Sequence, residues 1–295
     1  MTDAVGFVGL GVMGEPMCLN IVRRSGRRVV VFDIDRERVD RLAAEGAVGA
    51  TSVAEVAGAA DLVLLSLPSA VQVEQVVAGP EGLLPSLRAG HLVVDHSTSP
   101  LSLTRQLAVR CQERGARFCD APVARTRHAA VEGTLSIMVG GASDDVERVR
   151  PILECMASDI THCGDVGTGQ VMKLMNNMVL VQNVVALAEA LAIGTRAGID
   201  GALLLDTLSK GSADSFALRN HGMKAMLPDQ YPDDAFPAVY ARKDLEYALE
   251  LAAEVHVAAR GAELARTLLD ETIAAGYERE YFPVLRRVVE RSAGK

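Results

Sequence analysis

The 295-residue sequence predicts an α/β domain built on a doubly wound, mostly parallel sheet, followed by an all-helical domain. Three observations predict it. Short β-branched runs alternate with helical patterns as far as about residue 163, the strand signals stop after "HCGDVGTG", and the run at 170–198, "QVMKLMNNMVLVQNVVALAEALAIGTRAG", is apolar around much of its circumference. In order, the strand candidates are "AVGFVG", "RVVVFD", "DLVLLSL", "HLVVD", "ARFCD" and "TLSIMVG", with Ala-, Leu- and charge-rich segments such as 35–45 and 101–114 between them. Strand and helix in alternation imply right-handed βαβ units. A (β/α)8 barrel would need the rhythm to reach the C-terminus, and it does not. A helix as apolar as 170–198 is expected to lie buried between packing partners. Beyond it the chain reads as further helices broken at Gly201, Gly211, Pro228, Pro232, Pro237 and Gly276. The boundary is predicted near Gly164, giving domains 1–164 and 165–295 joined by the long helix.

Composition narrows the function. The chain exceeds the usual single-domain size, and a hydrophobic content of 49% supplies a core for each half. A formal net charge of -8, and no run of Lys or Arg longer than two, argue against nucleic acid or an anionic membrane as partner. The expected partner is a small molecule. Cys18, Cys111, Cys119, Cys155 and Cys163 are odd in number and far apart, without a CxxC pair or clustered histidines, so neither a disulfide framework nor a metal site is expected. They read as buried filler in a reducing compartment. No basic, apolar and cleavable leader opens the sequence, and no apolar stretch of ~20 residues escapes interruption by charge or Gly. A soluble cytoplasmic protein is expected.

The segment "VGFVGLGVMG" places Gly9, Gly11 and Gly14 at G-x-G-x-x-G spacing, directly after a strand and at the mouth of a helix that opens near Val12 and Met13. The first Gly permits the tight turn, the second lets backbone approach a pyrophosphate, and the third packs helix on sheet. Diphosphate would sit on the helix N-terminus, where unpaired N–H groups and the helix dipole favour negative charge. The spacing alone is a weak signal. It is strengthened by Asp33, at the end of the next strand, where this Rossmann arrangement expects a carboxylate on the adenine ribose hydroxyls. A carboxylate there repels a 2′-phosphate, so NAD is expected rather than NADP, with Arg36 and Arg38 close enough to qualify that preference. Leu67 with Pro68, and Ser97 with Thr98, stand at two later strand ends and are expected to line the same crevice. Ser97 and Thr98 can also be read as a helix cap before Pro100. His96 is expected to be a surface turn residue.

Within "GQVMKLMNNMVL", Lys173 and Asn177 are four apart and share a helix face, while Asn176 points about 100° away. A Lys among apolar neighbours either snorkels to solvent or is held where it acts. Partial burial and a nearby cation would lower its pKa, which suits a proton donor and acceptor at neutral pH. With Asn177 bonding a substrate oxygen and a nicotinamide opposite, the pair makes a hydride-transfer site.

These segments together resemble the β-hydroxyacid dehydrogenase family, nearly end to end: "GFVGLGVMGEPM" at 6–17, "DHSTSP" at 95–100, "DAPVARTRHAAVEGTLSIMVGG" at 120–141, "GTGQVMKLMNN" at 167–177 and "KDL" at 243–245. The resemblance implies that Lys173 is the catalytic lysine, Asn177 its substrate-binding companion and Lys243 a cofactor or active-site contact. It also implies a homodimer or homotetramer acting on a small anionic aldehyde or hydroxy acid. One departure stands out. Most of the family carries Ser-Gly-Gly after "DAPV", and here the positions are Ala124, Arg125 and Thr126. A Gly-Arg-Thr version belongs to a branch resembling sulfolactaldehyde reductases, similar also at the terminal "RSAGK". By that likeness Arg125 is expected to face the acid group of the substrate, with Thr126 and Asn176 beside it. The alternative is that Arg125 pairs with an acidic residue of the scaffold. Arg127 and His128 are expected on the solvent side. Competing readings are a phosphogluconate dehydrogenase, disfavoured by the missing helical length, an imine reductase, which normally lacks the lysine, a methyltransferase, and a dinucleotide-binding protein without chemistry.

Overall fold

The computed structural model describes residues 4–233 and 235–292. The chain divides into two compact units, Met1–Lys173 and Leu174–Lys295. Ala293, Gly294 and Lys295 of the "RSAGK" resemblance lie outside the described residues.

The first unit alternates as its apolar runs require: β1 (Ala4–Val8), α1 (Gly14–Arg24), β2 (Arg28–Phe32), α2 (Arg36–Ala44), β3 (Val48–Gly49), α3 (Val53–Ala59), β4 (Leu62–Leu65), α4 (Ala70–Ala78), β5 (Leu92–Asp95), α5 (Leu101–Glu113) and β6 (Arg117–Asp120). There follow β7 (Val123–Ala124), α6 (Arg127–Glu132), β8 (Leu135–Gly140), α7 (Ser143–Leu153), β9 (Ala157–Gly164) and the long α8 (Thr168–Arg196), which ends beyond the unit. The sheet runs β3-β2-β1-β4-β5-β6-β8-β7, with β9 on the other pairing of β8. Pairs from β3 to β6 are parallel, while β8 is antiparallel to β6 and β7. Strand order reverses between β1 and β4, so the carboxyl ends of these strands form the switch point where open α/β sheets bind ligands.

Alternation along the strands feeds two cores. Val5, Phe7, Val29, Val31, Leu62 and Leu64 face one layer of helices, and Val8, Val30, Val63 and Leu65 the other. Cys18 and Cys119 belong to the first core and Cys111 to the second, where burial pushes their thiols up. Three strands were not expected. β3 and β7 are two residues long, below any periodicity, and β9, "ASDITHCG", is mostly exposed and carries polar residues where a buried strand would carry apolar ones.

In the second unit the rest of α8 is joined by α9 (Gly201–Leu208), a π-helical segment (Leu218–Met226), α10 (Ala238–Glu254), α11 (Arg260–Ala274) and α12 (Leu285–Ser292). Val181, Val184, Ala188 and Leu191 of α8 pack there with Leu205, Leu245, Leu269 and Phe282. By length and mean hydropathy, 1.7 over an 18-residue window, α8 would qualify to cross a membrane, which the expected interruptions had excluded. Its place in this core makes it the central helix of a folded unit instead. Burial is not complete, contrary to expectation: Val179 and Ile193, fourteen residues apart and so on one side of the helix, stand 52% and 68% exposed.

Candidate active site

The glycine turn follows β1 as expected. Gly9 adopts φ 95°, and a Cβ there would lie 2.3 Å from the Ser66 carbonyl oxygen. A Cβ on Gly14 would come 2.0 Å from the carbonyl oxygen of Gly9, so the helix start is pressed onto the turn. Gly11 differs. The nearest atom to its added Cβ is Arg38 Nη1 at 3.6 Å, so the space before it is open to a ligand rather than filled by protein. Met13, at the N-cap of α1, makes no side-chain cap bond, and Val12 is half exposed. In the first turn of α1 the Glu15 N–H is taken by the Gly11 carbonyl (3.0 Å) and Pro16 has none, so it is the open turn ahead of them that makes a cradle a diphosphate fits.

Asp33 sits just beyond β2. Its Oδ2 accepts from Leu10 N at 2.6 Å and its Oδ1 from Asp35 N at 2.8 Å, which ties it to the glycine turn while each oxygen keeps a lone pair for a ribose hydroxyl. Arg38 donates to the Leu10 carbonyl (3.0 Å) and to Asp35 (3.0 Å), and Arg36 to the Ala50 carbonyl (2.7 Å). Both arginines that could receive a 2′-phosphate are thus bonded to the scaffold. Ile34, 93% exposed, offers an apolar ledge beside Asp33 that the motif does not announce.

At the next strand ends, Leu67 N donates to Ser97 Oγ at 2.9 Å, and Ser97 N to Asp95 Oδ1 at 2.9 Å. The hydroxyl therefore stitches the loop after β4, with Leu67 and exposed Pro68, to the loop after β5, with Ser97 and half-buried Thr98. Helix α5 starts at an N-cap of Pro100 without a side-chain cap bond, which removes the cap reading. His96 is a correction: it is buried, with Nδ1 2.7 Å from the Ala121 carbonyl oxygen, because the chain turns inward under β6. Nδ1 must carry the proton, and burial holds the ring neutral, its pKa down to about 4. His221 in the second unit is likewise held down to about 4 by burial. A base with a depressed folded pKa contributes stability above the unfolded value, 6.5, and loses it as pH falls toward 4. Between about pH 6.5 and pH 5 the two histidines should therefore each take about 2 kcal/mol from the unfolding free energy read from denaturant titrations. His96→Gln should flatten part of that slope, and an unchanged slope would assign the loss elsewhere.

Two residues missed by the sequence reading organise the start of α8. Asp120, fully buried at the end of β6, accepts from Gly167 N (2.6 Å) and Gln170 N (2.7 Å), so it caps the helix. Burial pushes its carboxyl up to about 6, while those N–H bonds pull the other way. Gln170, also fully buried, donates from Nε2 to the Ser97 carbonyl (2.7 Å) and accepts at Oε1 from Ser99 N (3.1 Å). Lys173 follows one turn later, half-buried. Their only sequence signal was the position of Asp120 at a strand end and of Gln170 in a helix's first turn.

Arg125 is a second correction. Its guanidinium bonds the Thr134 carbonyl (2.5 Å), Ser158 Oγ (2.7 Å) and Asp159 Oδ2 (2.7 Å), so the scaffold pair holds and not an outward-facing anion receptor. Bonds from Ser158 and Arg125 keep the Asp159 carboxyl below its usual range. The backbone is strained as well: Arg125 sits at φ 84°, a conformation costing a side-chain-bearing residue about 1–2 kcal/mol. Thr126 is the N-cap of α6 without a side-chain cap bond, and Arg127 and His128 are exposed as expected. Arg125→Gly should relieve the strain while losing the pair, leaving stability within about 1 kcal/mol and the preference among acid groups unaltered. A variant that no longer distinguishes carboxylate from sulfonate would restore the anchoring role.

In the second unit, buried Asn177 donates from Nδ2 to Asp244 Oδ2 at 2.6 Å and accepts at Oδ1 from Asn176 at 2.9 Å. The asparagines thus act as a pair despite their angular separation. One N–H of Asn177 remains to donate. Lys243 Nζ lies 3.2 Å from Asp244 Oδ1 and over the rings of Tyr240 and Tyr247, at 5.5 and 5.6 Å from their centroids.

Comparison with known proteins agrees with this architecture. A family model described as the NAD binding domain of 6-phosphogluconate dehydrogenase matches residues 4–164, and one described as the NAD-binding region of NADP-dependent 3-hydroxyisobutyrate dehydrogenase matches 167–286. The chain is 34% identical to 2-(hydroxymethyl)glutarate dehydrogenase of Eubacterium barkeri, over 98% of this chain and 96% of that one. It is 36% identical to 3-hydroxyisobutyrate dehydrogenase of Pseudomonas aeruginosa, over 95% of each. The solved 3-hydroxyisobutyrate dehydrogenase of Mycobacterium tuberculosis with L-serine superposes at TM-score 0.88 and 29% identity, covering 98% of this chain and 99% of that one. The chain belongs to the β-hydroxyacid dehydrogenase family and is a nicotinamide-dinucleotide-dependent oxidoreductase of hydroxy acids.

Proposed function

We propose that the chain uses NAD in preference to NADP to interconvert a short semialdehyde bearing a carboxylate and its primary hydroxy acid. The observation that carries this reading is Lys173, one turn beyond a helix start that Asp120 and Gln170 tie to the carboxyl ends of β6 and β5, in the sheet whose β1 carries the glycine turn. The turn at Gly9–Gly14, with Val12 and Met13, holds the diphosphate. Asp33 takes the ribose hydroxyls, and its charge disfavours a 2′-phosphate. Leu67, Pro68, Ser97 and Thr98 line the crevice, and Lys243 is a further contact to the cofactor. When bound, the nicotinamide supplies or accepts the hydride. Lys173 gives its proton to the carbonyl oxygen as the aldehyde is reduced and takes it back in the oxidation. The remaining N–H of Asn177 steadies the same oxygen, with Asn176 orienting the amide and Thr126 near the acid end. A carboxylate is the acid group that the relatives' names have in common.

The protein acts in the cytoplasm as a homodimer or homotetramer, whose interface covers the Val179 and Ile193 stripe of α8. The test is a panel of three- and four-carbon aldehydes carrying carboxylate, sulfonate or phosphate, each with NADH and NADPH. The expected result is turnover of the carboxylates, with kcat/KM at least about tenfold higher for NADH than for NADPH. A preference for sulfonates would overturn the substrate reading, and a preference for NADPH the role of Asp33. Binding of NADH without oxidation by any aldehyde would favour the non-catalytic alternative.

A further inference from the structure

Gln170 is assigned no contact with cofactor or substrate above, yet its carboxamide is wholly buried and satisfied at both ends by the backbone of a single loop, Ser97–Ser99. A buried amide lowers the free energy only when its bonds are made, and two opposed bonds to one loop fix that loop against the helix in distance and in tilt. The other side of the residue is equally constrained, since its own N–H is held by Asp120. The helix start cannot slide to compensate. A Cβ on Gly169 would lie 2.4 Å from the Met138 carbonyl oxygen and 2.8 Å from Asp120 Oδ2, so α8 is close-packed on β8 at that turn. The loop it grips is in turn bonded through Ser97 Oγ to Leu67 N, at the next strand end. On an α-helix a residue three positions on lies on the same face one turn further, and from Gln170 that residue is Lys173.

We propose that Gln170 is a positioning residue, whose carboxamide sets the separation between Lys173 and the Ser97–Ser99 loop and so the point at which the proton is delivered. The inference rests on the reading of Lys173 given above. Misplacing a reacting group by about 1 Å costs on the order of a hundredfold in rate. Removing the carboxamide therefore lowers kcat, not substrate affinity.

The test compares Gln170→Met, which keeps length and volume but makes neither bond, with Gln170→Glu. In the ligand-free protein, amide exchange at Ser99 should be about tenfold faster in Gln170→Met than in wild type, at a similar melting temperature. Its kcat should fall about tenfold to a hundredfold with KM within about threefold, and the isotope effect with deuterated NADH should rise. Gln170→Glu can accept from Ser99 N always, but can donate to the Ser97 carbonyl only when protonated. The carboxylates of Asp120 and, beyond it, Asp95 favour the protonated form, and the ammonium of Lys173 one turn on opposes it. Its kcat relative to wild type should therefore recover as pH is lowered, a trend that a purely structural loss would not produce. Wild-type exchange at Ser99 with wild-type kcat in Gln170→Met overturns the inference. Should that variant not fold, a pH-independent ratio for Gln170→Glu overturns it instead. Failure of the wild type to oxidise NADH with any aldehyde removes the functional reading itself and this inference with it, a result distinct from wild-type activity with unaffected variants.

Discussion

Lys173→Ala is expected to lose about 10²- to 10⁴-fold in kcat while binding NADH with an affinity within about twofold of wild type. The separation follows from where the groups lie. The glycine turn and Asp33 stand at the ends of β1 and β2, held by bonds from Leu10 N and Asp35 N to Asp33 and from Gly9 N to the Phe32 carbonyl. Lys173 sits instead one turn into α8, beyond Asp120 and Gln170. Removing the ammonium takes away the proton donor for the alkoxide that forms as the aldehyde is reduced, and leaves water to supply it. Positioning of the aldehyde survives, because the other groups assigned to it are untouched, so activity should fall and not vanish. Lys173→Arg is a sharper comparison. It keeps a positive charge, but a guanidinium does not give up its proton near neutral pH, so it should be nearly as inactive as the alanine variant. Wild-type turnover in either variant would take the proton-transfer role from Lys173. Fluorescence titration with NADH and steady-state reduction of a three-carbon semialdehyde separate binding from chemistry.

What the residues disclosed before the structure depended on whether each group's partner was near in sequence or in a regular element. The β1–α1 turn and Asp33 were legible because a glycine spacing and the next strand's end are local patterns, and the turn is built as those patterns require. The long helix was legible from its apolar run. Asp120 and Gln170 were not, because their bonds cross 47 to 73 positions and mostly go to backbone groups, which carry no residue signature. Arg125 was misread for a related reason. Its chemistry suits any anion, and Asp159, which takes it, lies 34 positions on in β9, a strand too exposed and polar to be recognised. His96 was misplaced because polar residues after a strand usually mark a surface turn, whereas here the loop runs beneath β6. The positive φ at Arg125 is invisible in a single sequence, because nothing in the residue type announces it.

The glycine turn allows the fold and the ligand to be tested apart, because its glycines are required for different reasons. Gly14→Ala would place a Cβ 2.0 Å from the Gly9 carbonyl oxygen, a backbone atom that cannot rotate away, so the turn or the start of α1 must move. Overpacking of this kind costs about 1–3 kcal/mol, and a displaced helix N-terminus no longer directs its N–H groups at a diphosphate. The variant should melt several degrees lower and lose NADH affinity by at least about a hundredfold. Gly11→Ala meets nothing closer than Arg38 Nη1 at 3.6 Å, an ordinary contact, so the ligand-free protein should melt like wild type. Yet its methyl group projects into the open space where backbone must approach the pyrophosphate, and binding should weaken by at least about tenfold with no change in fold. Measured by thermal shift without ligand and by NADH titration, the pair gives two signatures: stability and affinity lost together at Gly14, affinity alone at Gly11. If Gly11→Ala binds NADH as wild type does, the dinucleotide does not lie across this turn, and the assignment of Asp33 to its ribose falls with it.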